Sequence, residues 1–254
     1  MTQDSIGRFV WHDLMTTDAA KAMPFYKTLF GWNVIAHDMG GFEYQMIHIG
    51  DLPIGGFIQE NLPKGVPSHW MTYVRVDDLD SCLEAVTDNG GEICVPAMPI
   101  PGTGRFAVIT DPHGAAISPI QLDEAKPLPE QGTGSMFCWD ELHSKNPVES
   151  KAFYTSVFGW TWGEMDMGPG GMYYLAGGME KGIGGCMQQA PEDAGSRPAW
   201  VSYLLVDDVD ACLAQAIELG AKMTCPPMDI PGMGRSAMIS DPVGASVGIY
   251  SMGS

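Results

Sequence analysis

Two acids recur at matched places, each two residues after a tryptophan: Trp11-His12-Asp13 and Trp139-Asp140-Glu141. In a strand, residues two apart share a face. Trp11 and Asp13 therefore sit together while His12 faces the other way, and Trp139, Glu141 and His143 line up by the same rule. A later run in each half offers a hydroxyl on the same plan, with Met71 beside Tyr73 and Val201 beside Tyr203. Tryptophan, acid and tyrosine on facing strands suit a flat organic ligand, the indole stacking on it and the acid taking a hydrogen bond. Tyr73 and Tyr203 are the expected donors to Asp13 and Glu141, because an unpaired buried carboxylate costs on the order of several kcal/mol. Asp13 with Tyr73, and Glu141 with His143 and Tyr203, are the candidates for proton transfer. The alternative is structural: a tryptophan in the core and an acid tied to a backbone amide. An acid kept in both halves while its length changes favours the pocket.

Arg105 and Arg235 each follow a Gly-x-Gly. A guanidinium there either clamps a substrate carboxylate or pairs with an acid of its own chain. The glycines form no phosphate loop, since no Gly-Lys-Ser/Thr follows and no helix opens there. Six histidines occur, at 12, 37, 48, 69, 113 and 143, and none recurs between the halves. The six cysteines include no Cys-x-x-Cys, and Cys82 and Cys212 sit among apolar helix positions, which reads as buried thiols. No Ser-His-Asp or Cys-His constellation can be assigned.

The elements that must position these residues are written twice. Phe25-Tyr26 and Phe30-Gly31-Trp32 return as Phe153-Tyr154 and Phe158-Gly159-Trp160 at a spacing of 128 (11 to 139, 32 to 160). Val76-Asp77-Asp78-Leu79-Asp80 returns as Val206-Asp207-Asp208-Val209-Asp210, and Asp111-Pro112-His113-Gly114 as Asp241-Pro242-Val243-Gly244, now at 130. A period of that size is a domain duplication. Alternation and turn residues predict strands over 8–16, 32–37, 42–49, 53–59, 70–76, 92–95, 104–110 and 115–121, with helices over 19–30 and 78–89. Asp18 is the N-cap and Gly31 the stop of the first helix, although Pro24 inside it removes a hydrogen bond. The fold class is α+β: two tandem domains, each of two βαβββ units forming a curved mixed sheet with helices outside. Domain one is 1–122, with units 7–60 and 68–122. A Pro- and Gly-rich linker follows at 123–134, then domain two at 135–254, with units 135–190 and 198–254.

Composition narrows the function. Thirteen Lys and Arg stand against 31 Asp and Glu, a net charge of −18. Phosphate neutralisation needs basic residues, so neither nucleic acid nor an anionic membrane is an expected partner. No run approaches the roughly 20 apolar residues of a membrane span, and the first residues carry no signal-peptide pattern. The chain reads as an acidic cytoplasmic protein that takes a small molecule.

The ordered motifs, repeated over nearly the whole chain, resemble the vicinal oxygen chelate superfamily: glyoxalase I, bleomycin-resistance proteins and extradiol dioxygenases, in particular its tandem glyoxalase-like branch. That resemblance implies cups that hold one divalent metal through His or Gln and Glu. The implied ligand positions fall on Trp11, Met71 and Ser118 in domain one and on Trp139, Val201 and Gly248 in domain two. Indole, aliphatic and glycine groups do not ligate hard ions, and Ser or Met is weak. No metal and no cofactor is therefore expected; these six positions, with Arg105 and Arg235, become candidate substrate contacts. The reading is metal-independent binding of a small, partly apolar organic molecule, with acid–base chemistry open at Asp13/Tyr73 and Glu141/His143. Two alternatives stand beside it: a metal-dependent lyase, isomerase or dioxygenase with non-standard ligands, and a non-catalytic interaction module.

Overall fold

Four strand–helix–three-strand units follow one another along the chain. The computed structural model describes residues 5–39, 41, 43–123, 136–190 and 197–253. All but the first residue of the expected linker lies outside the described residues. The first unit is β1 (Phe9–Thr16), α1 (Ala19–Phe30), β2 (Asn33–Asp38), β3 (Glu43–Ile49) and β4 (Leu52–Gln59). The second is β5 (His69–Arg75), α2 (Leu79–Asp88), β6 (Glu92–Ile100), β7 (Gly104–Thr110) and β8 (Ala116–Leu122). The third is β9 (Phe137–Ser144), α3 (Pro147–Phe158), β10 (Trp162–Asp166), β11 (Met172–Ala176) and β12 (Gly184–Gln188). The fourth is β13 (Ala199–Leu205), α4 (Val209–Glu218), β14 (Lys222–Ile230), β15 (Gly234–Ser240) and β16 (Ser246–Met252). Among the described residues no helix is long and apolar enough to cross a membrane.

The strands form two mixed eight-stranded sheets of the same topology, β2-β3-β4-β1-β5-β8-β7-β6 and β10-β11-β12-β9-β13-β16-β15-β14. Within each unit the first strand runs parallel to the last, as β1 does to β4 and β9 to β12, because the helix carries the chain back over one face. Local chemistry sets the helix ends. The Asp18 carboxylate accepts the Lys21 N–H at 3.0 Å, and Gly31 closes α1 at φ 68°, where its N–H reaches the Lys27 carbonyl. The helix runs through Pro24 because its buried face, with Ala22, Phe25, Tyr26 and Phe30, outweighs one missing hydrogen bond.

One expected strand was drawn too short. The sequence reading stops β6 at Val95, before Pro96 and Pro99; the strand continues to Ile100, with register shifts against β7 on the way. It is the last strand of its sheet, so a residue without an N–H leaves no partner unsatisfied on the open side.

Each sheet is drawn from one repeat, but each hydrophobic core is drawn from both. One compact unit takes Met1–Trp11, Thr72–Leu128 and Trp139–Trp200; the other takes His12–Met71, Pro129–Cys138 and Val201–Ser254. In the first, α2 lies beside α3, and Val74, Leu79, Ile109 and Ile117 pack with Leu142, Phe153, Tyr154 and Trp160. In the second, α1 lies beside α4, and Leu14, Tyr26, Trp32 and Trp70 pack with Leu204, Leu213, Ile239 and Ile249.

Candidate functional site

Leu142 lies in a core, so its strand neighbours Glu141 and His143 face the other side of β9. Glu141 stands in register with Gly185 of β12. A Cβ on Gly185 would overlap the Tyr173 ring, so the missing side chain is what lets this tyrosine of β11 cross over the strand to the acid. The Tyr173 hydroxyl donates to Glu141 Oε2 at 2.6 Å and accepts from Trp139 Nε1 at 2.8 Å. His143 Nε2 meets the other carboxylate oxygen, Oε1, at 2.9 Å. Both oxygens of a group only 9 % exposed are thus engaged, and the imidazole is the end open to solvent, its side chain 21 % exposed. Burial first, and the Glu141 charge second, push the Tyr173 hydroxyl well above the usual tyrosine value, so it remains a donor.

Repeat one carries the same plan with a shorter acid. Asp13 is in register with Gly56, and Tyr44 crosses that glycine to donate to Asp13 Oδ1 at 2.5 Å. Position 15 is methionine here, so the counterpart of His143 is absent. Instead His37 and His48 stack with ring centroids 6.2 Å apart, and His12, one residue from Asp13, stacks on Phe137 at 3.9 Å.

Tyr44 and Tyr173 donate to Asp13 and Glu141, two hydroxyls that the sequence reading, which named Tyr73 and Tyr203, did not pick out. Tyr73 stands in register with Ser118, its ring 6.1 Å from that of Phe106. Tyr203 lies over Gly248, whose missing Cβ makes room for its ring. Strand parity picks out residues of one strand; it cannot say which third strand sends a side chain across a glycine. A signal was present nonetheless, since Tyr44, Gly55 and Gly56 all return 129 residues later as Tyr173, Gly184 and Gly185.

The remaining candidates are placed as follows. Met71 and Val201 are buried, Trp11 and Trp139 half-buried. Ser118 donates to the Ala107 carbonyl at 2.7 Å, which ties up its hydroxyl. Arg105 grips Asp80 at 2.7 Å and also reaches Gln121; Arg235 grips Asp210 at 2.7 Å and Asp229 at 2.8 Å. Of the two roles considered for these arginines, the pair with an acid of the same chain is the one formed, and neither guanidinium is left as a free clamp.

A divalent ion does not fit these donors. Among the described residues no three His, Cys, Asp or Glu side chains gather where one ion could bind them. In repeat two the implied Glu position is Gly248, and the ring of Tyr203 occupies the space a side chain would need. In repeat one it is Ser118, already bonded to a backbone carbonyl.

Comparisons with known proteins agree with this architecture. The family model described as the Glyoxalase/Bleomycin resistance protein/Dioxygenase superfamily matches residues 5–118 and again 141–249. The chain is 36% identical over 242 residues to the protein of Mycobacterium tuberculosis named "Putative glyoxylase CFP32", covering 92% of this chain and 91% of that one. It is 29% identical to the anthracycline biosynthesis protein DnrV of Streptomyces peucetius, covering 99% of this chain and 96% of that one. In fold it is similar to the Mn(II)-bound glyoxalase of Novosphingobium aromaticivorans, with a TM-score of 0.65, 13% identity, and 97% of this chain and 82% of that one covered.

Proposed function

The chain belongs to the Glyoxalase/Bleomycin resistance protein/Dioxygenase superfamily, and from that premise we propose that it binds a small, flat, partly apolar organic molecule without a metal, at the sheet face around Glu141. The proposal extends to proton transfer there, with His143 as the base and Glu141 as the group that positions it.

One observation carries this reading. Glu141 engages His143 through Nε2, and Nδ1 of the same ring has no hydrogen-bond partner among the described residues. A carboxylate that accepts the Nε2 proton leaves the Nδ1 lone pair free to take a proton from a bound molecule. Tyr173, itself held by the Trp139 indole, donates to the carboxylate, so the imidazole is fixed in direction before any ligand arrives. The Trp139 surface supplies apolar area for a flat ligand. The relative DnrV, named for anthracycline biosynthesis, supports a ligand with a flat fused-ring surface. In repeat one Asp13 pairs with Tyr44 and Met15 stands at the position matching His143, which favours binding over chemistry there.

The test is equilibrium dialysis of EDTA-treated protein against flat aromatic ketones and phenols, repeated with Glu141→Gln and His143→Gln. The proposal expects binding that EDTA leaves intact and that Glu141→Gln weakens at least about tenfold, or roughly 1.4 kcal/mol. Binding that appears only when manganese, zinc, nickel or iron is restored would support the metal-dependent reading instead.

A further inference from the structure

Arg75, the last residue of β5, is a buried guanidinium that forms no ion pair with a carboxylate among the described residues. It is 8 % exposed. One terminal nitrogen donates to the Ser5 hydroxyl, while Nε is buried with no hydrogen-bond partner. No ion pair to Arg75 forms among the described residues, whereas the far more exposed Arg105 and Arg235 both hold acids. A buried charge left unpaired is costly to a fold, and a chain with 31 acids has no shortage of partners to place there.

The duplication shows that folding does not require this arginine. The matching residue of repeat two is Leu205, held alike: the Arg75 N–H donates to the Arg8 carbonyl at 3.0 Å, and the Leu205 N–H to the Met136 carbonyl at 2.9 Å. The direction of the side chain follows from its neighbours. Val74 and Val76 lie in the core, so Tyr73 and Arg75 face the opposite side of the sheet. Tyr73 stands in register with Ser118, and Arg75 with Ile120. Ala107 is a core residue too, which turns Phe106 to this same side, its ring 6.1 Å from Tyr73. A buried cation with an unused donor therefore adjoins an aromatic wall.

We infer that Arg75 is the anion-binding group of a second ligand site, on the first sheet, which takes an aryl carboxylate: the guanidinium binds the carboxylate and Tyr73 and Phe106 line the aryl ring. The planar fork of a guanidinium suits a carboxylate, and burial strengthens the bond. The site does not rest on the Glu141 reading. In repeat two, Leu205, Ser236 and Gly248 replace Arg75, Phe106 and Ser118, so the second sheet lacks this site.

The experiment is thermal unfolding of the full chain at pH 7 with benzoate and, as its uncharged counterpart, benzamide. Benzoate at tenfold over its Kd should raise the wild-type Tm by about 3–5 °C, and benzamide should leave it unchanged. Arg75→Leu should abolish the benzoate shift while its own Tm equals or exceeds that of the wild type, and Arg75→Lys should retain part of the shift. The same benzoate shift in Arg75→Leu, or none in the wild type, would overturn the inference. So would a lowered Tm in ligand-free Arg75→Leu, since that result would show that the fold itself relies on the guanidinium.

Discussion

The hydroxyl of Tyr26 donates to Asp241, 215 residues further along the chain, at 2.8 Å. Trp70 Nε1 donates to the same hydroxyl at 2.9 Å, and the other oxygen of Asp241 accepts the N–H groups of Val243 and Ala245. The helix motif of one repeat is thereby bonded to the Asp-Pro turn of the other. In the other core Tyr154 takes the matching place near Asp111, and Trp200 Nε1 donates to the Tyr154 hydroxyl at 2.9 Å. The two repeated motifs thus have a common purpose: each closes a core built from both repeats.

Tyr26→Phe and Tyr154→Phe should therefore each lower stability by about 1–3 kcal/mol, because each strands a buried indole N–H and Tyr26→Phe also deprives the buried Asp241 carboxylate of a donor. Urea denaturation measures it. A loss no greater than that of an exposed Tyr→Phe change would show that the bonds between repeats contribute little.

Burial raises the Asp241 carboxyl above its usual value, against the pull of the Tyr26 and backbone donors. The folded state then holds this proton more tightly than the unfolded state does. The stability difference between wild type and Asp241→Asn should accordingly fall as pH rises from about 4, the unfolded carboxyl value, through the raised folded value. Denaturation series of both proteins from pH 4 to 7 give the slope; a difference that grows with pH would contradict the assignment.

Burial also pushes the thiols of Cys82 and Cys186 up to about 12 and that of Cys212 to about 11, whereas Cys94 is exposed. Alkylation by iodoacetamide at pH 8, followed by peptide mass spectrometry, should mark Cys94 early and Cys82 and Cys186 only on unfolding. Equal rates at Cys186 and Cys94 would refute the packing around β12.

Gly185→Ala should displace Tyr173 from Glu141, since the new methyl overlaps the ring, at a cost of about 1–3 kcal/mol in stability. Gly56→Ala should do the same to Tyr44 and Asp13. Crystal structures of the two variants would show whether the tyrosine has left the acid; an unmoved ring would contradict the account of why glycine stands there.

These elements differ in how far the sequence reveals them. Asp18 and Gly31 bracket α1 so closely that both its ends can be read from local chemistry. Strand parity likewise puts Trp139, Glu141 and His143 on one face. Tyr173 escapes this reasoning because its bond to Glu141, two strands from its own, depends on strand order and on a glycine in the strand between them. Arg75 escapes it because a charged residue at a strand end looks solvent-exposed; only its burial, without an acid paired to it among the described residues, makes it unusual. The exchange of cores is hidden for a similar reason, since a periodic pattern tells that Tyr26 is buried and not which repeat covers it.

The central claim is that His143, positioned by Glu141, transfers protons without a metal. Its most direct test follows the exchange of the α-protons of 2-hydroxyacetophenone in D2O by NMR, with EDTA-treated protein. The account predicts exchange faster than in buffer, unchanged by EDTA, and reduced at least about 100-fold by His143→Gln, consistent with the loss of a general base. Exchange no faster than buffer, equal exchange in His143→Gln, or exchange that returns only when a divalent metal is added would contradict it.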